Sequence, residues 1–330
     1  MTRPADERAI GLRRCPANPI LTRGEIPEVP GQLSDPTSVF NPGAVRVGDR
    51  FTLLLRVQSR GRETFLMVAE GADGRAFSVR PRLVRLEGVE RVAETIHHIY
   101  DPRVTPLEGR FYIVLAMDIE SGCRLGLART ADFERIDFLG VISTADERNG
   151  VLFPERVGGR YLLLRRPNRG LPRSDVASGE AIELAESEDL LRWRRVGDVL
   201  TGRPHYWDEL IGSGPPPIKT RDGWLHIYHG IATHFRSVNI YQAGVALLDL
   251  DDPARLLARG RNNILEPREP YELTGQVPNV VFPSGAIVET LDAEGFAPPE
   301  SRVFVYYGAA DTCVGLAETT VGELLAACRD

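Results

Sequence analysis

The most chemically loaded stretch of this chain is IHHIYDPR, in which His97, His98, Tyr100, Asp101 and Arg103 crowd one another. An Asp-Pro pair alone starts turns and caps strands, but a plain turn does not gather this much polarity. A carboxyl so placed could move a proton. A second set is cationic. Arg148 precedes the apolar run of NGVLFP, Arg166 ends LLLRR just before Pro167, and Lys219 and His229 bracket IKTRDGWLHIYH. Each alone fits a solvated surface charge. Gathered in a water-poor cleft, they would form an oxyanion clamp, with the guanidinium fork suited to phosphate.

Other chemistries find less support. Gly212-Ser213-Gly214 followed by Lys219-Thr220 looks in part like a phosphate loop, but no glycine precedes the lysine. Three prolines also remove the backbone N–H donors that such a loop needs. His226, His229 and His234 lie close in sequence. On a strand, however, His226 and His229 point to opposite faces, so no metal site is expected. No G-x-S-x-G elbow supports a serine triad. Tyr100, Tyr206, Trp207, Tyr241 and Phe282 could be sugar-stacking platforms, with core packing as the plainer reading of each.

What must hold these groups is a phrase that returns five times: a proline beside a small or apolar residue, a Gly-centred turn, then an aromatic-led apolar strand. It occupies Asn41 to Arg56, Asp101 to Met117, Phe153 to Arg166, Pro215 to Gly230, and Phe282 to Glu289 with Ser301 to Thr312. A unit recurring every ~50–65 residues, each followed by a second apolar run and an acidic turn, reads as one blade of a radial β array. The expectation is an all-β, five-bladed propeller formed by residues 1–330 as one domain. Its blade starts face a central funnel, where Asn41, Asp101, Glu155, Ser213, Lys219 and Asp311 recur in unlike forms. A strand around 10–21 should complete the last blade and remove an exposed edge. Helical periodicity is confined to Pro253–Ala258 and Val321–Cys328. A β-sandwich also has short strands and many turns, but it does not explain one repeated phrase.

Bulk properties narrow the class. A net charge of −6 over 330 residues carries no basic footprint for nucleic acid. No run approaches the ~20 apolar residues that span a bilayer. MTRPADERAIGLRR lacks the apolar stretch of a secretory signal. Four scattered cysteines form neither a zinc pattern nor a disulfide framework, which suits reduced thiols in the cytoplasm.

The set FNPGAV, IYDPRVT, NGVLFPERVGGRYLLLRRP, GPPPIKTRDGWLHIYHG, VPNVVFPSG and YYGAADT resembles glycoside hydrolase family 130, the β-mannoside phosphorylases and related β-mannosidases. The resemblance runs from about Asn18 to Ala317, in the family's order. It implies a five-bladed propeller and inverting cleavage of a β-mannosidic bond, with Asp101 as general acid acting through the mannose 3-hydroxyl. It further implies that Asn41, Arg56 and Asp311 contact the mannosyl unit at the cleaved end. Arg148, Arg166, Lys219 and His229 match the positions at which phosphorolytic members hold phosphate. Hydrolytic members are expected to lose that cationic set and gain a carboxylate base, and all four cations are present here. RVQSRGRETFLM and AMDIESGCRLG depart from the better-known members, on the side that receives the leaving group.

The expected reaction is therefore phosphorolysis of a β-D-mannoside to α-D-mannose 1-phosphate and a released sugar. Inorganic phosphate is the co-substrate and no cofactor is required. Oligomeric relatives make a homo-oligomer an option. An inverting β-mannosidase, with Glu155 as the base for water, and a non-catalytic glycan-binding propeller are the alternatives. Tyr100, His205 to Trp207, Tyr241 and Phe282 are expected to govern the leaving group.

Overall fold

The structure, a computed structural model, describes residues 11–168, 179–233 and 239–330. His234 lies outside them. Five sheets, antiparallel except for the outermost pair of the second, where Leu86–Glu87 runs parallel to Ile136–Val141, follow one another along the chain, one per repeated phrase, and form a five-bladed β-propeller. Blade one begins with Ser38–Val47, blade two with Ile96–Leu107, blade three with Glu147–Leu152, blade four with Leu210–Ser213, and blade five with Val281–Val288. The short strand Arg13–Arg14 pairs with Cys313–Thr320 at the outside of blade five, so the N-terminal segment completes the last blade.

The uninterrupted apolar runs follow from burial on both faces. In Arg50–Gln58, Leu53 and Leu55 pack toward blade five, while Leu54 packs toward blade two. Blade three repeats the division: Leu162 and Leu164 meet blade four, and Leu163 meets blade two. In blade four, Trp224 and Tyr228 face blade three, and Leu225 and Ile227 face blade five. A strand buried on one face alternates apolar and polar residues, whereas these strands need apolar side chains at every position. The core is thus a ring of inter-blade clusters around a polar axis.

Glycine sets how closely the innermost strands approach. A Cβ on Gly285 would lie 2.6 Å from Ala44 Cβ and 2.9 Å from the Pro42 carbonyl. A Cβ on Gly43 would lie 2.8 Å from the Pro102 carbonyl. These glycines of FPSG and NPG are therefore required where blade five meets blade one and blade one meets blade two. The helix Val321–Arg329 starts where expected, behind a Thr320–Glu323 capping box, and buries Leu324 and Leu325 against blades four and five. Pro253–Ala258 is not helical. Asp249 accepts from the backbone of Asp251 and Asp252 in a tight turn, and Leu256–Arg259 becomes the outer strand of blade four.

Gly285→Ala should destabilise the protein by about 1–3 kcal/mol, the usual range for overpacking. The fall would be read as a lower urea midpoint at unchanged slope. An unchanged midpoint would show that the inner strands can spread.

Candidate active site

The first strands of blades one, two and three share a device. Each carries a β-bulge, with register shifts between Phe40 and Gly43, Tyr100 and Arg103, and Arg148 and Val151. Inside each bulge sits a polar residue with positive φ: Asn41 at 47°, Asp101 at 51° and Asn149 at 51°. Such a conformation is costly for a residue with a Cβ and clusters at functional sites. Bulges re-aim side chains, and here all three line one cavity of about 580 Å³. Arg56, Tyr100, Arg148, Arg166, Tyr241, Phe282 and Asp311 complete its wall, so every blade contributes.

One side of the cavity is built around Asp101. Its Oδ1 accepts from Asn41 Nδ2 at 3.0 Å and from Arg56 Nη1 at 2.8 Å. The Arg56 guanidinium lies between the rings of Phe40, at 4.4 Å, and Tyr100, at 4.6 Å. Below, buried Arg103 donates from Nη1 to the Asp101 carbonyl and from Nε to the Gly214 carbonyl. Burial alone would raise the Asp101 pKa, but the charges of Arg56 and Arg103 and the Asn41 hydrogen bond hold it below the ordinary aspartate value. Asp311 lies across the cavity. Burial, with a smaller push from Asp101, raises its pKa to about 6 against the opposing pull of Arg56. One guanidinium serves two carboxyls, and Asp101 has the direct contact.

The other side is cationic. Arg148 and Arg166 are cross-strand partners in blade three, so two like charges stand opposite each other. Arg166 is buried, its Nε has no partner, and no carboxylate lies within ion-pair distance of it among the described residues. Burial, with Arg148 adding repulsion, pushes its pKa down to about 10. Arg148 has one loose counterion, Asp118 at 3.9 Å. An unpaired buried cation such as Arg166 is expensive, whereas Arg148 is partly exposed and the groups around it, Asp118 and Asp146 among them, favour its charge.

Four expectations need correction. Lys219 is not at the cavity. Its strand, Ile218–Thr220, pairs Lys219 with Trp224, five residues from His229 and thus ~17 Å along the sheet. There its Nζ meets Glu155 at 2.8 Å and caps the Phe296 ring. Glu155, the base required by the hydrolytic alternative, is held with it outside the cavity wall. Trp207 also stands elsewhere: its ring stacks on Tyr228 at 5.8 Å and its indole N–H donates to the Arg261 carbonyl. His229 is close but not a cation. It is buried behind the wall, 4.5 Å from Phe282 and 6.1 Å from Tyr241, and burial, together with Arg166 and Arg103, holds it neutral. His226, on the opposite face of the strand, is equally buried.

Sequence reasoning missed Asn149, although Asn149-Gly150 occupies the place of Asn41-Pro42 in the repeat. It also missed Gln58, Glu63 and Thr64, which line the cavity with polar atoms beside His98. None of these had a distinctive motif.

The five-bladed propeller thus presents a funnel in which a buried carboxyl pair stands opposite two arginines, of which Arg166 has no counterion among the described residues. The profile of glycoside hydrolase family 130, described as beta-1,4-mannooligosaccharide phosphorylase, matches residues 11–330, and the chain belongs to this family of enzymes. It is 30% identical over 331 residues to the beta-1,4-mannooligosaccharide phosphorylase of Ruminococcus albus, spanning 98% of this chain and 92% of the relative. It is likewise 30% identical over 319 residues to the 1,2-beta-oligomannan phosphorylase of a Thermoanaerobacter species, spanning 93% and 97%. The solved beta-1,2-mannobiose phosphorylase of Listeria innocua, in complex with beta-1,2-mannobiose, superposes with a TM-score of 0.82 at 26% identity, over 96% of this chain and 99% of that one.

Asp311 gives a pH prediction. Its folded pKa, about 6, lies above the unfolded value near 3.8. Stability from this group is therefore fully present below pH ~4 and is lost as pH rises to ~6. Asp311→Asn removes that loss. Its stability relative to the wild type should climb between pH 4 and 6 and level off at roughly 3 kcal/mol at most. A stability difference that is flat across this window would mean that folding does not raise the Asp311 pKa.

Proposed function

We propose that this protein cleaves a β-D-mannoside with inorganic phosphate, giving α-D-mannose 1-phosphate and the released sugar. The observation that carries the reading is the facing pair Arg148 and Arg166, which among the described residues lacks a full complement of negative charge. Water as nucleophile needs a base but no such pair. Phosphate needs positioning more than deprotonation.

In this reading phosphate sits against the two arginines and attacks the anomeric carbon from the face opposite the leaving oxygen. A bond forms from a phosphate oxygen to C1 as the C1–leaving-oxygen bond breaks, which inverts the centre. The leaving oxygen takes a proton relayed from Asp101 through the mannose 3-hydroxyl, and the phosphate hydroxyl proton restores the balance. The Asp101 carboxyl is ionised in the empty site at neutral pH. The incoming anion offsets the arginine charge and raises its proton affinity. Asn41, Arg56 and Asp311 hold the mannosyl hydroxyls, with the Phe40–Arg56–Tyr100 stack fixing the guanidinium. Four buried, free cysteines fit a reducing, cytoplasmic setting.

Mannobiose and mannosyl-glucose should release reducing sugar only when inorganic phosphate is present. Asp101→Asn should retain sugar binding and lose ~10²–10⁴-fold in turnover. Cleavage indifferent to phosphate would replace this reading with hydrolysis. An Asp101→Asn enzyme with more than about a tenth of wild-type rate would remove Asp101 from proton transfer.

A further inference from the structure

One ionisable group in the cavity wall has no part in the reaction as proposed. Asp118, on Arg110–Ile119 of blade two, lines the cavity beside the anion wall. Its Oδ1 accepts from the Tyr100 hydroxyl at 2.8 Å, and the same oxygen lies 3.9 Å from Arg148 Nη2. The second distance is too long for a hydrogen bond. Among the described residues Arg148 is therefore attracted but not anchored, which leaves its guanidinium available to an anion. Tyr100 in turn lies 4.6 Å from the Arg56 guanidinium, which donates to Asp101. One oxygen thus stands at the joint between the anion wall and the sugar wall.

We propose that Asp118 is a counter-charge that limits how tightly the Arg148–Arg166 pair keeps an anion, and that it positions Tyr100 against Arg56 through the same oxygen. The inference rests on the phosphorolysis reading. Its chemical sense is that substrate phosphate and product sugar phosphate occupy one clamp, so a clamp without opposing charge would hold the product. A fixed carboxylate a few ångströms away repels both anions. At roughly 6 Å and an intermediate effective dielectric, a unit charge changes anion affinity by about five- to tenfold. Asp118 also leaves Arg166 as the only one of the pair without any carboxylate nearby among the described residues.

Two substitutions separate its roles. Asp118→Asn removes the charge but retains an acceptor for the Tyr100 hydroxyl, whereas Asp118→Ala removes both. Calorimetric titration of the sugar-free protein with inorganic phosphate should show both variants binding about five- to tenfold tighter than wild type. Product inhibition by α-mannose 1-phosphate should strengthen by a similar factor. The mannoside KM should stay within about twofold of wild type in Asp118→Asn. In Asp118→Ala it should rise at least severalfold, because the Tyr100 hydroxyl loses its acceptor and Arg56 loses a fixed ring on one face. General damage to the fold cannot tighten phosphate while weakening the sugar. Phosphate affinity that is unchanged or weaker in Asp118→Asn overturns the counter-charge. Equal mannoside KM in the two variants overturns the positioning of Tyr100. Wild-type protein that binds no phosphate sinks the proposed function and this inference together. Phosphate binding that Asp118→Asn does not alter sinks only the inference.

Discussion

Two arginines face each other across adjacent strands of the cavity wall, Arg166 buried and Arg148 partly exposed, and the charge balance of the funnel turns on that pair. Arg148 and Arg166 are register partners. Nothing in the local sheet prevents an acidic residue from occupying either position, as Arg165 shows one residue away. It points to the other face and is paired with Glu147 and Glu183. The same blade therefore pairs one arginine with two carboxylates and leaves its neighbour without one among the described residues. Such selective neglect weakens the empty fold and strengthens whatever anion enters it.

The rest of the site answers that charge. Asp101 takes two donors onto one oxygen and remains a carboxylate, while Asp311 faces the same Arg56 without a direct contact and holds its proton to higher pH. Burial acts on both, so neighbours decide which one ionises. The backbone supplies the positions. Positive φ at Asn41, Asp101 and Asn149 is conformational strain, maintained by inner strands packed too closely to relax. The apolar ring between blades stabilises the fold, and the polar axis uses part of that stability.

The fold was legible because burial on both faces forces each middle strand to write the same apolar phrase, and closure forces five of them. Asn41, Asp101, Arg148 and Asp311 were legible from their place in the phrase. Lys219 was misplaced for a physical reason: Pro215 to Pro217 interrupt the inner strand, so Ser213 pairs with Tyr228 while Lys219 pairs with Trp224, farther from the cavity along Gly223–Ala232. Spacing along the sequence does not reveal that break. Trp207 was misjudged because Gly230 and Gly244 make room for its ring on the blade face, a three-dimensional fact with no local signal. His229 was read as a charge because burial cannot be seen in one residue. Asp118 acquires meaning only through what lies across from it.

The central claim is that Arg166 is kept unpaired for an anion, and Arg166→Met tests it most directly. Thermal unfolding of wild type and variant is compared in anion-poor buffer and across a phosphate titration. The account predicts that the variant melts at or above the wild-type temperature without phosphate, since a buried like-charge repulsion is gone. It also predicts that the phosphate-induced rise seen in wild type is largely lost. A variant that melts lower in anion-poor buffer and keeps the full phosphate shift would contradict it.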